Sequence, residues 1–240
     1  MSRKESLVYG VRAALAVAEH RPGAILRVLH VPEVRHDIGA LLKATARERK
    51  PYREVPVEEL NKAAATVHHE GVLVVTKPLA TLPFGRYLDG LPKRPLLVAL
   101  DRVSNPHNQG AILRSMAWFG ADAVLTSDSR DTVNPAAIRV SQGGAELVKV
   151  VRAPELPRAL RALAAKGVTV VAADQTATTS IDAVLDGGPL CWVMGNEGEG
   201  LSPAVKAACN ERVSIPGVGA VESLNVSVAA GILLAMSRKA

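Results

Sequence analysis

From Leu96 onward, short apolar runs alternate with segments of helical spacing, and this alternation limits the available folds more than any other feature. LLVAL (96–100), Ala123–Leu125 and Leu190–Met194 are wholly apolar, and Leu147–Val151, Val168–Ala172 and Val213–Ile215 are nearly so, with one polar residue each. Strands of that kind must be covered on both faces. The segments between them supply the cover: Gly110–Phe119, Ala136–Val140, Pro154–Ala165 and Pro203–Ala208 read as helices, with Leu156, Leu160 and Leu163 on one face. The expectation is an α/β domain with a parallel sheet over residues 96–240. The hydrophobic content is 48% and the aromatic content 3%, so its interior should be aliphatic.

The region before it has a different grain. Leu7–Ala18 reads as a helix, with Val8, Val11, Ala14, Leu15 and Ala18 on one face. Ala24–Leu29 reads as a strand, Ile38–Ala46 as a helix, and Tyr52–Val55 as a short strand. Pro56–Ala64 reads as a helix and Val72–Thr76 as a strand, so residues 1–77 form a small α/β unit of their own. Between the units, Pro78–Pro95 holds four prolines and two glycines with little periodicity, and reads as an interdomain linker. No internal repeat is visible.

Charge and cysteine content narrow the classes. A net charge of +6 and a pI near 9.5 permit a polyanionic partner such as RNA. The densest cationic run is Arg47–Lys50 (RERK) with Arg53 close by, either a solvated helix end or an RNA contact. No apolar run approaches the roughly eighteen residues that would span a bilayer. The opening MSRKESLVYG lacks the apolar core of a secretion signal, so a cytoplasmic protein is expected. Two cysteines, Cys191 and Cys209, make no metal cluster, so no metal is expected and both read as buried free thiols.

In a parallel sheet, ligands bind at the carboxyl ends of the strands, so the loops that follow the strands matter most. Asp101–Arg114 (DRVSNPHNQGAILR) joins the first of these strands to its helix. Asn105-Pro106 suggests a turn, and Asn108 lies near the helix start. Arg114 sits on a helix with little polar face, where its planar fork suits a phosphate or carboxylate. His107 is either structural or an acid–base group. Val193–Leu201 (VMGNEGEGL) has glycines spaced G-x-x-G-x-G, the reverse of the dinucleotide fingerprint, which disfavours a nicotinamide oxidoreductase. Its Glu197 either answers a cationic group or serves the turn.

The third loop opens Ile215–Ala235 (IPGVGAVESLNVSVAAGILLA), with Gly217 and Gly219 giving it freedom. Ser223 reads as the N-cap of the helix that follows, in which Leu224, Val228, Ile232 and Ala235 recur at helical spacing. The other side of that helix is apolar too, so it should be buried nearly all round. Asn225 is then a poor choice inside an apolar helix, and capping by Ser223 does not explain it.

Taken in order, N-P-H-N-Q-G-A-I-L-R (105–114), M-G-N-E-G-E-G-L (194–201) and I-P-G-V-G-A-V-E-S-L-N-V-S-V-A (215–229) resemble the three motifs of the SpoU (TrmH-type) RNA 2'-O-ribose methyltransferases of the SPOUT class. Y-G-V-R-A-A-L (9–15) and H-H-E-G-V (68–72) resemble the family's L30e-like substrate-binding domain. Gln109, commonly aliphatic in the family, and Gly217, commonly bulkier, depart from the pattern.

The resemblance implies a C-terminal trefoil knot, which general rules of chain topology would have excluded. It implies S-adenosylmethionine as cofactor, held largely by backbone groups at Gly195, Ile215 and Leu224. It further implies a homodimer with catalytic groups from both protomers, acting on structured rRNA or tRNA. Arg114 matches the arginine proposed to activate the ribose hydroxyl. Because arginine keeps its proton to about pH 12 or beyond, clamping phosphate and stabilising the developing alkoxide suits it better than acting as base. Ser223 and Asn225 would orient the ribose and Arg114, Asn108 would position substrate, and Glu197 would anchor the local network. The alternative is a non-catalytic knotted RNA-binding or ribosome-assembly factor, against which the retention of all five side chains argues.

Overall fold

The computed structural model describes residues 5–127, 133–218 and 221–238. Gly219 of the third loop lies outside the described residues. The N-terminal unit is a four-stranded sheet in the order β1 (Ser6–Tyr9), β4 (Val72–Thr76), β2 (Ile25–His30) and β3 (Tyr52–Glu54), with α1 (Val11–His20), α2 (Gly39–Arg47) and α3 (Val57–Ala64) packed on it. The expected helix over Leu7–Ala18 is corrected to a strand followed by a helix. Val8 enters the core beneath α1 and α2, and Tyr9 the core beneath α3, so successive side chains point to opposite faces. Gly10, at φ 93°, then turns the chain into α1.

The second unit is a seven-stranded, wholly parallel sheet. Its order is β11 (Glu211–Val213), β9 (Thr169–Ala173), β10 (Leu190–Gly195), β6 (Leu96–Asp101), β7 (Ala123–Thr126), β8 (Lys149–Arg152) and β5 (Thr81–Pro83). Its central strands β6, β7, β9 and β10 are buried on both faces, as their composition requires. Val98, Leu100, Val124, Val150, Trp192 and Met194 belong to one core, and Leu97, Ala99, Leu125, Val151, Cys191 and Val193 to the other. The first core is covered by α5 (Pro106–Trp118), α6 (Pro135–Val140), α7 (Gly144–Leu147) and α10 (Val226–Ser237). The second is covered by α4 (Phe84–Asp89), α8 (Leu156–Ala164) and α9 (Pro203–Lys206).

Three expectations need correction. Pro78–Pro95 is not a plain linker, because it contributes β5 and α4, and Tyr87 of α4 is buried. Its elements are too short to show a period, and Pro83 is tolerated because β5 is an edge strand. The last strand is Glu211–Val213 rather than Val213–Ile215; at the opposite edge, Glu211 and Arg212 stay exposed while Val213 is buried. The last helix is not buried all round. Val226, Ala230, Leu233 and Leu234 are buried, but Val228 is 50% exposed. Trp192 Nε1 donates to Ser237 Oγ at 2.8 Å and ties the end of that helix to β10.

The two units share a packed joint. Arg21, the C-cap residue of α1, makes a bidentate pair with Glu146 of α7, with Nη2 donating to Oε1 at 3.0 Å. Arg21 Nη1 also donates to the Lys77 carbonyl at 2.8 Å. Glu70 accepts from the Val11 N–H at 3.0 Å and pairs with Arg139 of α6 at 3.4 Å.

Candidate active site

Motifs one and two start side by side. Asp101 ends β6, Gly195 ends β10, and the two are paired in register at the carboxyl edge of the sheet. There the chain turns from β6 into α5. Asn105 caps α5, its side chain accepting from the His107 N–H at 2.9 Å, and Pro106 occupies the first helical position. The helix therefore starts at Pro106, ahead of the expected Gly110, and Asn108 falls in its first turn.

Asn108 is where the three loops meet. Its Nδ2 donates to Glu197 Oε1 in the loop after β10. Its Oδ1 accepts from Asn225 Nδ2 at 3.1 Å. Asn225 in turn is the N-cap of α10: its Oδ1 accepts from the Ser227 N–H at 2.9 Å and from Ser227 Oγ at 2.6 Å. The expected N-cap, Ser223, lies outside the helix and is exposed. Asn225 is therefore not inside an apolar helix at all. It stands at the helix start, where its oxygen satisfies the first turn and its amide nitrogen reaches motif one. Since an amide has both donor and acceptor groups, Asn108 can link a carboxylate to a second amide, which a hydroxyl or carboxylate there would do less completely.

The loop after β10 is folded tightly on itself. Asn196 and Gly200 form a bridge, and Asn196 Oδ1 accepts from the N–H groups of Gly198 at 2.9 Å and Glu199 at 3.2 Å. A Cβ on Gly195 would lie 2.4 Å from the Gly200 carbonyl carbon, so this glycine is required by the loop's own return. Several anchors were missed in the sequence. Arg102 holds a left-handed backbone (φ 59°) and pairs with Glu199, while its carbonyl accepts from Asn196 Nδ2 at 3.1 Å. Buried Asp101 accepts from the Ser202 N–H at 2.6 Å. The positive φ of a non-glycine residue here has no signature in residue type. Gln109, the departure noted in motif one, is buried and donates to the Val103 carbonyl at 2.7 Å, bracing the loop.

Arg114 is exposed on α5 and has no hydrogen bond or ion pair among the described residues. Asn108 faces α10, whereas Arg114 lies beside Gly144, where an added Cβ would come within 3.0 Å of the arginine Cα. Asn108, Glu197 and Asn225 are thus brought together, and Arg114 and Ser223 are not joined to them. Ile215 is half-buried and Leu224 45% exposed. Ile215, Gly217 and Val218 make no backbone hydrogen bond among the described residues. The open backbone donors and acceptors of this loop fit a cofactor that is held by backbone groups.

Other groups at the sheet are spoken for. At the carboxyl end of β9, burial opposes ionisation of Asp174, but hydrogen bonds from Lys206 and Thr176 outweigh it and hold its carboxyl below the usual range. Both cysteines are free; Cys191 is buried as expected, whereas Cys209 is only partly buried, and burial pushes the Cys191 thiol up and that of Cys209 up to about 11. Among the described residues no group of histidines, cysteines and carboxylates could hold a metal, and no helix is long and apolar enough to cross a membrane.

Residues 95–235 match the model of the SpoU rRNA methylase family, and residues 7–82 match that of the RNA 2'-O ribose methyltransferase substrate-binding domain. A Ralstonia nicotianae protein named 23S rRNA (guanosine-2'-O-)-methyltransferase RlmB is 36% identical over 235 residues, covering 96% of this chain and 94% of its own. A Mycobacterium ulcerans protein described as an uncharacterized tRNA/rRNA methyltransferase is 43% identical over 188 residues, 77% of this chain; the matched region spans 61% of that relative's length. The crystal structure of the SpoU methyltransferase AviRb from Streptomyces viridochromogenes, in complex with the cofactor AdoMet, superposes with a TM-score of 0.79 at 26% identity over 98% of this chain and 90% of that one. With a family model matching more than half its length and a near full-length relative well above 30% identity, this chain belongs to the SpoU rRNA methylase family.

Proposed function

We propose that this protein is an S-adenosylmethionine-dependent RNA methyltransferase that methylates a ribose 2'-hydroxyl of rRNA or tRNA. The observation that carries the reading is the hydrogen-bonded chain Glu197–Asn108–Asn225, which fastens the three motif loops together at the carboxyl edge of the parallel sheet. Bound S-adenosylmethionine supplies an activated methyl group. The protein must then hold the ribose in line and stabilise the charge that develops on its oxygen. Gly195, Ile215 and Leu224 are the positions assigned to the cofactor. Asn108 and Asn225 fix the substrate side, Glu197 anchors Asn108, and Ser223 meets the ribose. Arg114 clamps the target phosphate and stabilises the developing alkoxide.

The exposed position of Arg114 suits a site completed by a second copy. Along α5, Trp118 is 84% exposed one turn beyond Arg114, and Val228 of α10 is half exposed. An apolar face of this kind on the two helices nearest the motifs supports a homodimer in which Arg114 serves the partner's ribose. The knot is part of the same reading. After β10 the chain runs to the edge strand β11, where Val213 pairs with Thr179 of the preceding crossover, and then returns to pack α10 against α5 and β10. That excursion and return support threading of the chain after motif two. A cytoplasmic location, where structured RNA is found, completes the proposal.

The test is to map 2'-O-methylation across total RNA with and without this protein. A site gained or lost names the target. An unchanged map, with no binding of S-adenosylmethionine, returns the non-catalytic RNA-binding reading.

A further inference from the structure

Four arginines surround the joint between the two units, and they divide into two kinds. Arg21 is neutralised by Glu146, whose side chain is 2% exposed, and Arg139 by Glu70. Arg12 and Arg114 are exposed and have no ion pair or hydrogen bond among the described residues. The joint itself is the two-glycine turn Gly143–Gly144. A Cβ on Gly143 would lie 2.9 Å from Ala16 Cβ and 3.7 Å from the Arg12 carbonyl oxygen. One on Gly144 would lie 2.7 Å from the Leu113 carbonyl oxygen and 3.0 Å from Arg114 Cα. Two adjacent residues without side chains therefore let α1 and α5 close on the same turn from either side. Arg12 and Ala16 are neighbours on one face of α1, four residues apart, so Arg12 belongs to the face that meets the turn.

Resting on the RNA methyltransferase reading, we propose that Arg12 is a second contact to the RNA backbone, held at a fixed spacing from Arg114 by the Gly143–Gly144 joint. The physical logic is one of division of labour. The two paired arginines lock the units together, while the two unpaired ones present their charge to solvent, where a polyanion gains by displacing its counterions onto them. A phosphate contact fixes register without reading sequence. A guanidinium on each unit, with the units joined rigidly, makes the distance between the two contacts a property of the fold.

The test uses an unmodified 23S rRNA transcript, and compares wild-type protein with Arg12→Ala and Arg12→Lys. The alanine variant is expected to raise the KM for RNA about tenfold and to reduce the slope of log affinity against log salt by about 0.7–0.9, the share of one phosphate contact. Its kcat and its affinity for S-adenosylmethionine should stay at wild-type values. The lysine variant should recover most of the affinity, because an ammonium still neutralises one phosphate. A wild-type protein that methylates the transcript alongside an alanine variant with unchanged KM and salt slope overturns this proposal alone. A wild-type protein that neither binds nor methylates rRNA or tRNA overturns the functional reading, and this proposal with it.

Discussion

Asn225 shows how much one side chain can do at the end of a helix. Its oxygen caps α10 and its nitrogen reaches Asn108, so the two halves of the amide serve stability and site separately. The two roles can be split by substitution. Asn225→Ala should cost about 1 kcal/mol through loss of the cap, whereas Asn225→Ser, which keeps a capping oxygen, should stay within about 0.5 kcal/mol of wild type. Both should lose methyl transfer, because neither donates to Asn108. Urea denaturation and transfer assays on the same preparations check this. A serine variant that is as active as wild type removes Asn108 from the substrate side. The sequence made Asn225 conspicuous as a polar residue in an apolar stretch, but not its position. Ser223 and Asn225 are both good caps two residues apart, and the choice between them is made by tertiary structure, since Asn225 is the one that reaches Asn108 of α5.

At the scale of elements, the strands of the large sheet were legible because burial on both faces leaves an uninterrupted apolar run. Elements at the edges were not. β5 is three residues long, and β11 carries exposed Glu211 and Arg212. β1 was hidden because Leu7, Val8 and Tyr9 fit either period until Gly10 breaks it. The motif-one glycine illustrates a different gap between pattern and cause. A Cβ on Gly110 would lie 2.5 Å from the Ala137 carbonyl oxygen and 2.6 Å from Val140 Cβ, so Gly110 is there to let α5 pack closely on α6. Gly110→Ala should therefore destabilise by about 1–3 kcal/mol through overpacking. A lower urea midpoint with the transition slope unchanged is the expected result. An unshifted midpoint would mean that the two helices separate easily.

For the whole molecule, the joint between the units was the least legible feature. Arg21 and Glu146 are 125 positions apart, and no local pattern connects them. The three motifs were readable because each is local; how the two sheets face one another is not. Removing the arginine leaves a carboxylate with 2% exposure and no partner, which costs about 3–5 kcal/mol unless the joint opens. Arg21→Ala should thus separate one thermal unfolding transition into two, and expose the connection between β4 and β5, residues 77–80, to limited proteolysis. A single transition at the wild-type temperature would show that the packed glycine turn holds the units together without the ion pair.

The central claim is that the carboxyl edge of the sheet binds cofactor and positions ribose, while Arg114 acts on the reacting oxygen and its phosphate. Arg114→Ala tests it most directly, assayed at once for methyl transfer to an unmodified rRNA transcript and for S-adenosylmethionine affinity by calorimetry. Transfer should fall about a thousandfold, the scale of losing one group that stabilises developing charge, with cofactor affinity within about twofold of wild type. Loss of cofactor binding, or transfer near the wild-type rate, would contradict the account.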